Sequence, residues 1–284
     1  MVGQEVKRKR SFFSFMIYFI VKIKEDDVFA LGAQLAYYLV LAFFPLLIFI
    51  MTLIGFSSLD SMQVIEGLNA ILPSNVVDLT SSIIIEVVEH QSGSILGVSA
   101  VLTVWSASSA FRAVIKGVNK AYNIKENRSF VNRAIMAIIC TFALGFIVML
   151  TLGLLVFGQV IGDLLIKYVQ YELIISKLWG ATRYCIVIVI MIMIFAAIYR
   201  YTPSKRTEWR EALPGAIVTT LGWITVSLIF SFYINNFANY SRIYGSLGAV
   251  FVLMTWLYIS SIIIILGGEV NSVLVIRKNN LRIR

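Results

Sequence analysis

With 284 residues, 59% of them hydrophobic and only 14% charged, the chain is far from the roughly 25% charged content of an ordinary soluble domain. A mean hydropathy of +0.87, sustained along the whole length, excludes a soluble globular fold and predicts an all-α polytopic membrane protein. The net charge of +9 would suggest nucleic acid in a soluble chain, but here the placement of the cations accounts for it.

The first 27 residues read as a cytoplasmic interfacial segment. Phe12–Ile23 is apolar but too short to cross a bilayer, is flanked by Lys and Arg, and has no small-residue cleavage site, so it predicts a surface-lying helix rather than a signal peptide. About 20 apolar residues span a typical hydrocarbon core. Runs of that kind predict spans at approximately 28–56, 92–111, 134–158, 180–200, 212–234 and 246–270, a six-helix bundle forming one membrane domain over 1–284. Between the first two, 57–91 carries acidic but no basic residues and is split by Pro73, which predicts two amphipathic helices on the outer face. The segments that alternate along the chain hold 20 Lys and Arg on one side and 4 on the other, which places both termini in the cytoplasm of a bacterial inner membrane. Anionic inner-leaflet lipids are the expected partners; nucleic acid is not, and self-association into a homo-oligomer is compatible with the sequence.

Catalytic chemistry is sparse. Cys140 and Cys185 sit in apolar runs without CxxC spacing, His90 is the only histidine, and the cytoplasmic acids are scattered beside Lys and Arg. There is no HExxH, GxSxG or phosphate-binding loop. The expectation is a protein that is not an enzyme and carries no cofactor or metal.

Glu269 is the one acidic residue inside a predicted span, within Leu266-Gly267-Gly268-Glu269-Val270-Asn271. Ionisable groups in membrane segments mark pathways, buried ion pairs or binding sites. Gly267 and Gly268 permit close helix approach or local unwinding. A boundary carboxylate or a structural ion pair are the plainer readings, although the apolar run Val273–Ile276 beyond it argues against simple exposure. In the first span Gln34, Tyr37, Tyr38 and Pro45 fall on one helical stripe, and Pro45 is placed to kink the helix. Ser109 and Arg112 close the second span, where Arg112 is either an ordinary positive-inside anchor, a partner for Glu269 or a phosphate ligand. Pro214 beside Trp209 marks a helix start, and Tyr244 with Gly245 ends a short outer turn.

Ordered motifs run along the chain: Ala36-Tyr37-Tyr38 with Phe44-Pro45-Leu46-Leu47, Asn119-Lys120-Ala121-Tyr122, Tyr199-Arg200-Tyr201-Thr202-Pro203, Trp209–Ala216, Tyr244–Gly248, Trp256-Leu257-Tyr258 and Leu266–Asn271. In this set and order the chain resembles the YihY/virulence factor BrkB family of bacterial inner-membrane proteins, once labelled ribonuclease BN. The resemblance implies an inner-membrane protein connected with lipid or envelope-precursor traffic, and it departs slightly at Gly268, where alanine is more usual. Together these readings predict a translocator for a lipid or lipid-linked amphiphile, with a wet recess lined by Gln34, Tyr37, Tyr38 and Glu269, and with Asn271, Arg112 and Ser109 as further pathway candidates. Ion-coupled solute transport and a non-transporting role in envelope assembly are the alternatives.

Overall fold

The computed structural model describes residues 16–55, 93–147, 172–237 and 247–282, and every element among them is helical. We number them α1 (16–25), α2 (Val28–Gly55), α3 (Gly93–Ala121), α4 (Phe130–Ile147), α5 (Glu172–Tyr201), α6 (Trp209–Phe237) and α7 (Leu247–Arg282). Among the described residues, five helices contain stretches long and apolar enough to cross a membrane: Val28–Phe49, Gly93–Ala121, Phe130–Ile147, Trp209–Ile234 and Val250–Ile276. The expected span at 180–200 falls on α5, whose apolar part, Cys185–Tyr201, is shorter. The outer segment 57–91, residues 148–158 and the turn holding Tyr244 and Gly245 lie outside the described residues.

The chain divides into two compact units, one of 1–26, 115–222 and 266–284, the other of 27–114 and 223–265. In the first unit α1 has an unusual distribution. Its apolar residues Met16, Ile17, Tyr18, Ile20 and Val21 are exposed, while Lys22 is buried. That inversion suits a helix lying in the membrane interface, where the apolar face meets acyl chains instead of protein. The loop after α3 begins with a left-handed residue, Asn123 (φ 53°). The Asn123 N–H donates to Lys120 O and the Ile124 N–H to Asn119 O, closing a Schellman motif in which asparagine takes the position usually given to glycine.

Glu126 then ties this loop to the segment after α5. Its carboxylate accepts from Asn119 Nδ2 (2.7 Å), Ser204 Oγ (2.7 Å) and the Arg128 N–H (3.0 Å). The Ser204 N–H donates to Asn119 Oδ1 at 2.9 Å, and the Arg128 guanidinium donates to Thr202 O at 2.7 Å. Trp209 is a packing residue: Arg200 stacks over its ring at 4.8 Å and Tyr201 meets it edge-on. Along α4, Phe130, Val131, Phe142 and Phe146 are exposed, as expected for a helix whose outer side is solvated by lipid.

In the second unit α2 buries Val28, Leu31, Gly32, Leu35 and Ala42, a face built largely of small and aliphatic residues. Gly32 allows close approach to α7: a Cβ there would stand 2.7 Å from Ile262 Cγ1. Serine and threonine hydroxyls here return to their own helix, Ser108 to Val104 O, Ser109 to Trp105 O and Ser261 to Leu257 O. Trp256 Nε1 reaches across helices to Ser227 Oγ at 3.2 Å.

Candidate functional site

The site is built in the first unit, where the ends of four helices meet. Pro214, six residues into α6, removes a backbone donor and crowds the carbonyl four residues earlier. The helix ladder around it is completed by a side chain from α7: Asn271 Oδ1 accepts from the Gly215 N–H at 2.6 Å, and Asn271 Nδ2 donates to Ala212 O at 3.0 Å. Both amide ends of a fully buried asparagine are thus spent on backbone.

This clamp requires the helices to touch. A Cβ at Gly215 would lie 2.1 Å from Gly267 O, and one at Gly267 would lie 1.9 Å from Thr219 Oγ1 and 2.3 Å from Tyr199 Oη. Gly215 and Thr219, one turn apart on α6, form the small-xxx-small arrangement that lets membrane helices bring backbones together, and Gly267 and Asn271 are one turn apart on α7. Tyr199, also fully buried, hydrogen-bonds Thr219 at 2.6 Å over the same crossing. Gly268 is different, since a Cβ there meets nothing closer than Ala121 Cβ at 3.6 Å.

Next to this crossing lies Glu269, with no exposed surface. Its partner is Lys22 of α1, with Nζ 3.0 Å from Oε2. Lys22 also donates to Ala121 O at 2.6 Å, at the C-terminus of α3, and pairs with Asp26 one turn along α1. The three protons of the ammonium therefore face two carboxylates and one helix-terminal carbonyl, a cation-friendly position because α3's dipole adds negative potential there. Burial by itself would pull the Lys22 ammonium down, but Asp26 and Glu269 outweigh it and hold it above the usual lysine value. Neither Glu269 oxygen has a hydrogen bond of standard geometry among the described residues, so the contact with Lys22 is an ion pair and Oε1 is left without a donor. The buried Tyr122 hydroxyl stands near Asn271 without a well-formed hydrogen bond to it. Burial raises its phenol above the ordinary range; Asn271 opposes this, and the charges of Glu211 and Glu269 add to it.

Several expected site residues fall here: Glu269, Asn271, Gly267, Gly268 and Pro214 belong to one unit. The others do not share it. Gln34, Tyr37, Tyr38, Pro45, Ser109 and Arg112 belong to the second unit. Tyr37 is 60% exposed and Leu41 on the same stripe 40%, so this stripe is not α2's packed face. Polarity does not distinguish the protein-facing side of a helix surrounded by hydrocarbon, whereas the small residues Gly32 and Ala42 do. Pro45 lines an apolar cleft of about 390 Å³ with Phe44, Ile48, Ile95, Val98 and Leu102. Arg112 donates to Ser109 Oγ at 2.5 Å; the cation beside Glu269 is Lys22. Within its own unit the carboxylate has no exposed surface, and the Lys22 ammonium stands against it.

Sequence reasoning missed Lys22, Asp26, Gly215, Tyr199 and Thr219. A signal for Lys22 existed: it is the one cation inside the apolar stretch Phe12–Ile23 and stands four residues before Asp26. Among the described residues no group of three His, Cys, Asp or Glu side chains is placed to hold a metal ion.

Comparison with known proteins gives a consistent result. The sequence profile described as virulence factor BrkB matches residues 19–282. YfkH of Bacillus subtilis, whose name marks it as ribonuclease-like, is 38% identical over 247 residues, covering 87% of this chain and 90% of YfkH. A UPF0761 membrane protein of Alteromonas mediterranea is 27% identical over 262 residues, 88% of this chain and 84% of its own length. Another from Vibrio vulnificus is 23% identical over 280 residues, 94% of this chain and 84% of its own. No solved structure matches.

Proposed function

This chain belongs to the virulence factor BrkB family, and from that premise we propose that it is a six-span translocator of the bacterial inner membrane, with both termini cytoplasmic, that moves a lipid or lipid-linked amphiphile. The observation that carries this reading is the complete burial of Glu269 against Lys22 of an interfacial helix. A buried ion pair is weak support for stability, because hydrophobic replacements of similar volume are often as good or better. Its placement between a surface-lying helix and a long apolar one fits a closing contact. Withdrawal of α1 would uncover a carboxylate and a helix-end carbonyl, turning a dry junction into a polar recess for a headgroup. Anionic lipids are the partners this arrangement suits, since the same cations that orient the chain attract them.

The cargo class rests on the family resemblance. Ion-coupled solute transport is the second reading, favoured by two carboxylates sharing one ammonium, Asp26 and Glu269 on Lys22. A non-transporting role in envelope assembly would use the same pair as a permanent fastening. The chain is not expected to be catalytic, despite the ribonuclease-like name of its Bacillus relative.

Reconstitution in liposomes tests this. Purified protein should accelerate transbilayer exchange of fluorescent phospholipid, and Glu269→Gln should change that rate at equal protein incorporation. Lipid movement without any effect of Glu269→Gln would remove the carboxylate from the mechanism. Ion flux without lipid movement would select the second reading, and inactivity in both assays the third.

A further inference from the structure

We propose that Asp26, Glu269 and the Ala121 carbonyl form a binding site for one monovalent cation of ammonium or potassium size, which Lys22 fills as a tethered cation. Three oxygens from three separate parts of the chain, those of Asp26, Ala121 and Glu269, converge on the Lys22 nitrogen, with Ala121 O at 2.6 Å and Glu269 Oε2 at 3.0 Å. Those two separations exceed the 2.0–2.1 Å of magnesium and are hydrogen-bond separations of an ammonium from its acceptors. Carbonyl and carboxylate oxygens at this spacing replace the hydration shell of a large monovalent ion. Glu269 has no exposed surface and its Oε1 lacks a donor, so an ion with several coordination positions would satisfy it better than the ammonium does.

A second, independent observation is how α1 is held. Within 16–25 the only residue classed as buried is Lys22; Phe19 and Ile23 are half-buried and the remainder exposed. The helix is fastened by a charge and not by apolar burial. A soluble monovalent cation that takes the lysine's place restores the same single positive charge beside the two carboxylates, whereas a helix anchored by leucines would leave nothing to exchange. The site holds irrespective of which cargo, if any, the chain moves.

The test uses the full-length protein in nanodiscs and follows the midpoint of thermal unfolding while potassium or ammonium chloride replaces choline chloride at constant ionic strength. The wild type should not distinguish these salts. Lys22→Ala should gain a saturable upward shift of several degrees with potassium and ammonium, and Lys22→Ala/Glu269→Gln should lose it. A response of Lys22→Ala to choline equal to that with potassium, no response at all, or one that survives Glu269→Gln would overturn the site. Lys22→Gln, which keeps most of the stem, repeats the measurement if the alanine variant does not fold. Failure of both to accumulate in membranes also overturns it, since the potassium-rich cytoplasm would have filled the vacated position.

Discussion

The two units solve the same problem in different ways. In the unit containing α2 and the first part of α3, the hydroxyls of Thr52, Thr103 and Ser108 turn back onto their own helices and contact is made by apolar side chains, Gly32 against Ile262 and Trp223 against Trp256. In the unit containing α1, α4 and α5, polar side chains reach between elements: Lys22 to Ala121 O, Asn271 to α6, Tyr199 to Thr219, Glu126 to Ser204. The first kind of packing tolerates adjustment, because dispersion is summed over many replaceable contacts. The second does not, because an unmade bond leaves a specific buried group desolvated. Substitutions of similar size should therefore be felt more in the polar unit.

The largest difference is expected at the ion pair. In choline chloride, Lys22→Met leaves Glu269 buried and uncompensated and should lower stability by about 3–5 kcal/mol, with Lys22→Met/Glu269→Gln recovering most of it. Thermal unfolding of the three proteins would show this; a double variant no better than Lys22→Met would mean the lysine acts through packing alone. Next come the glycines. Gly267→Ala forces atoms into a backbone crossing and should cost about 1–3 kcal/mol or more, whereas Gly268→Ala, with nothing nearer than 3.6 Å, should be neutral. Gly32→Ala should fall between them, since its 2.7 Å neighbour is Ile262 Cγ1 with the Ile262 backbone at 3.3 Å, a tight contact but longer than the 1.9 and 2.3 Å at Gly267. Equal losses at Gly32 and Gly267 would erase the contrast between the units.

Asn271→Leu strands the Gly215 N–H and an Ala212 carbonyl contact and should cost about 1–3 kcal/mol. Trp256→Phe in the other unit loses one bond to Ser227, and about 1 kcal/mol is the most expected there.

Two pH limbs give the smallest effects. Burial would raise the Glu126 carboxyl, but Ser204, the Arg128 N–H and charge, and Asn119 together hold it below its ordinary 4.5. Its contribution is thus present above 4.5 and lost as pH falls through the lower folded value, so protease cleavage in 122–129 should rise on acidification in the wild type and be independent of acid in Glu126→Gln. Lys22, held above 10.5, contributes below that value and stops contributing as pH rises past its folded value. The corresponding alkaline loss of stability should vanish in Lys22→Met.

Much of this was readable in the chain. The helical membrane class followed from hydropathy, and the motifs carrying the family resemblance include Asn119–Tyr122, Tyr199–Pro203, Trp209–Ala216 and Leu266–Asn271, all members of the polar unit. Glu269 stood out because an acid in an apolar run is rare. The stripe of Gln34, Tyr37 and Tyr38 belongs to the other unit and leaves Tyr37 60% exposed; amphipathicity, which marks the buried side of a helix in water, has no such meaning when the outer solvent is hydrocarbon.

Composition and run length by themselves determined that the chain forms apolar helices, since an unpaired peptide group in lipid costs several kcal/mol and helices satisfy their own. They also singled out Glu269 as the one acid inside the predicted spans. Which cation neutralises that acid was decided only by tertiary structure, because electrostatic partners are chosen by proximity in space, and Lys22 comes from the opposite end of the sequence. The same holds for the crossing at Gly215 and Gly267: each glycine permits close approach, but only the fold brings one glycine against the other.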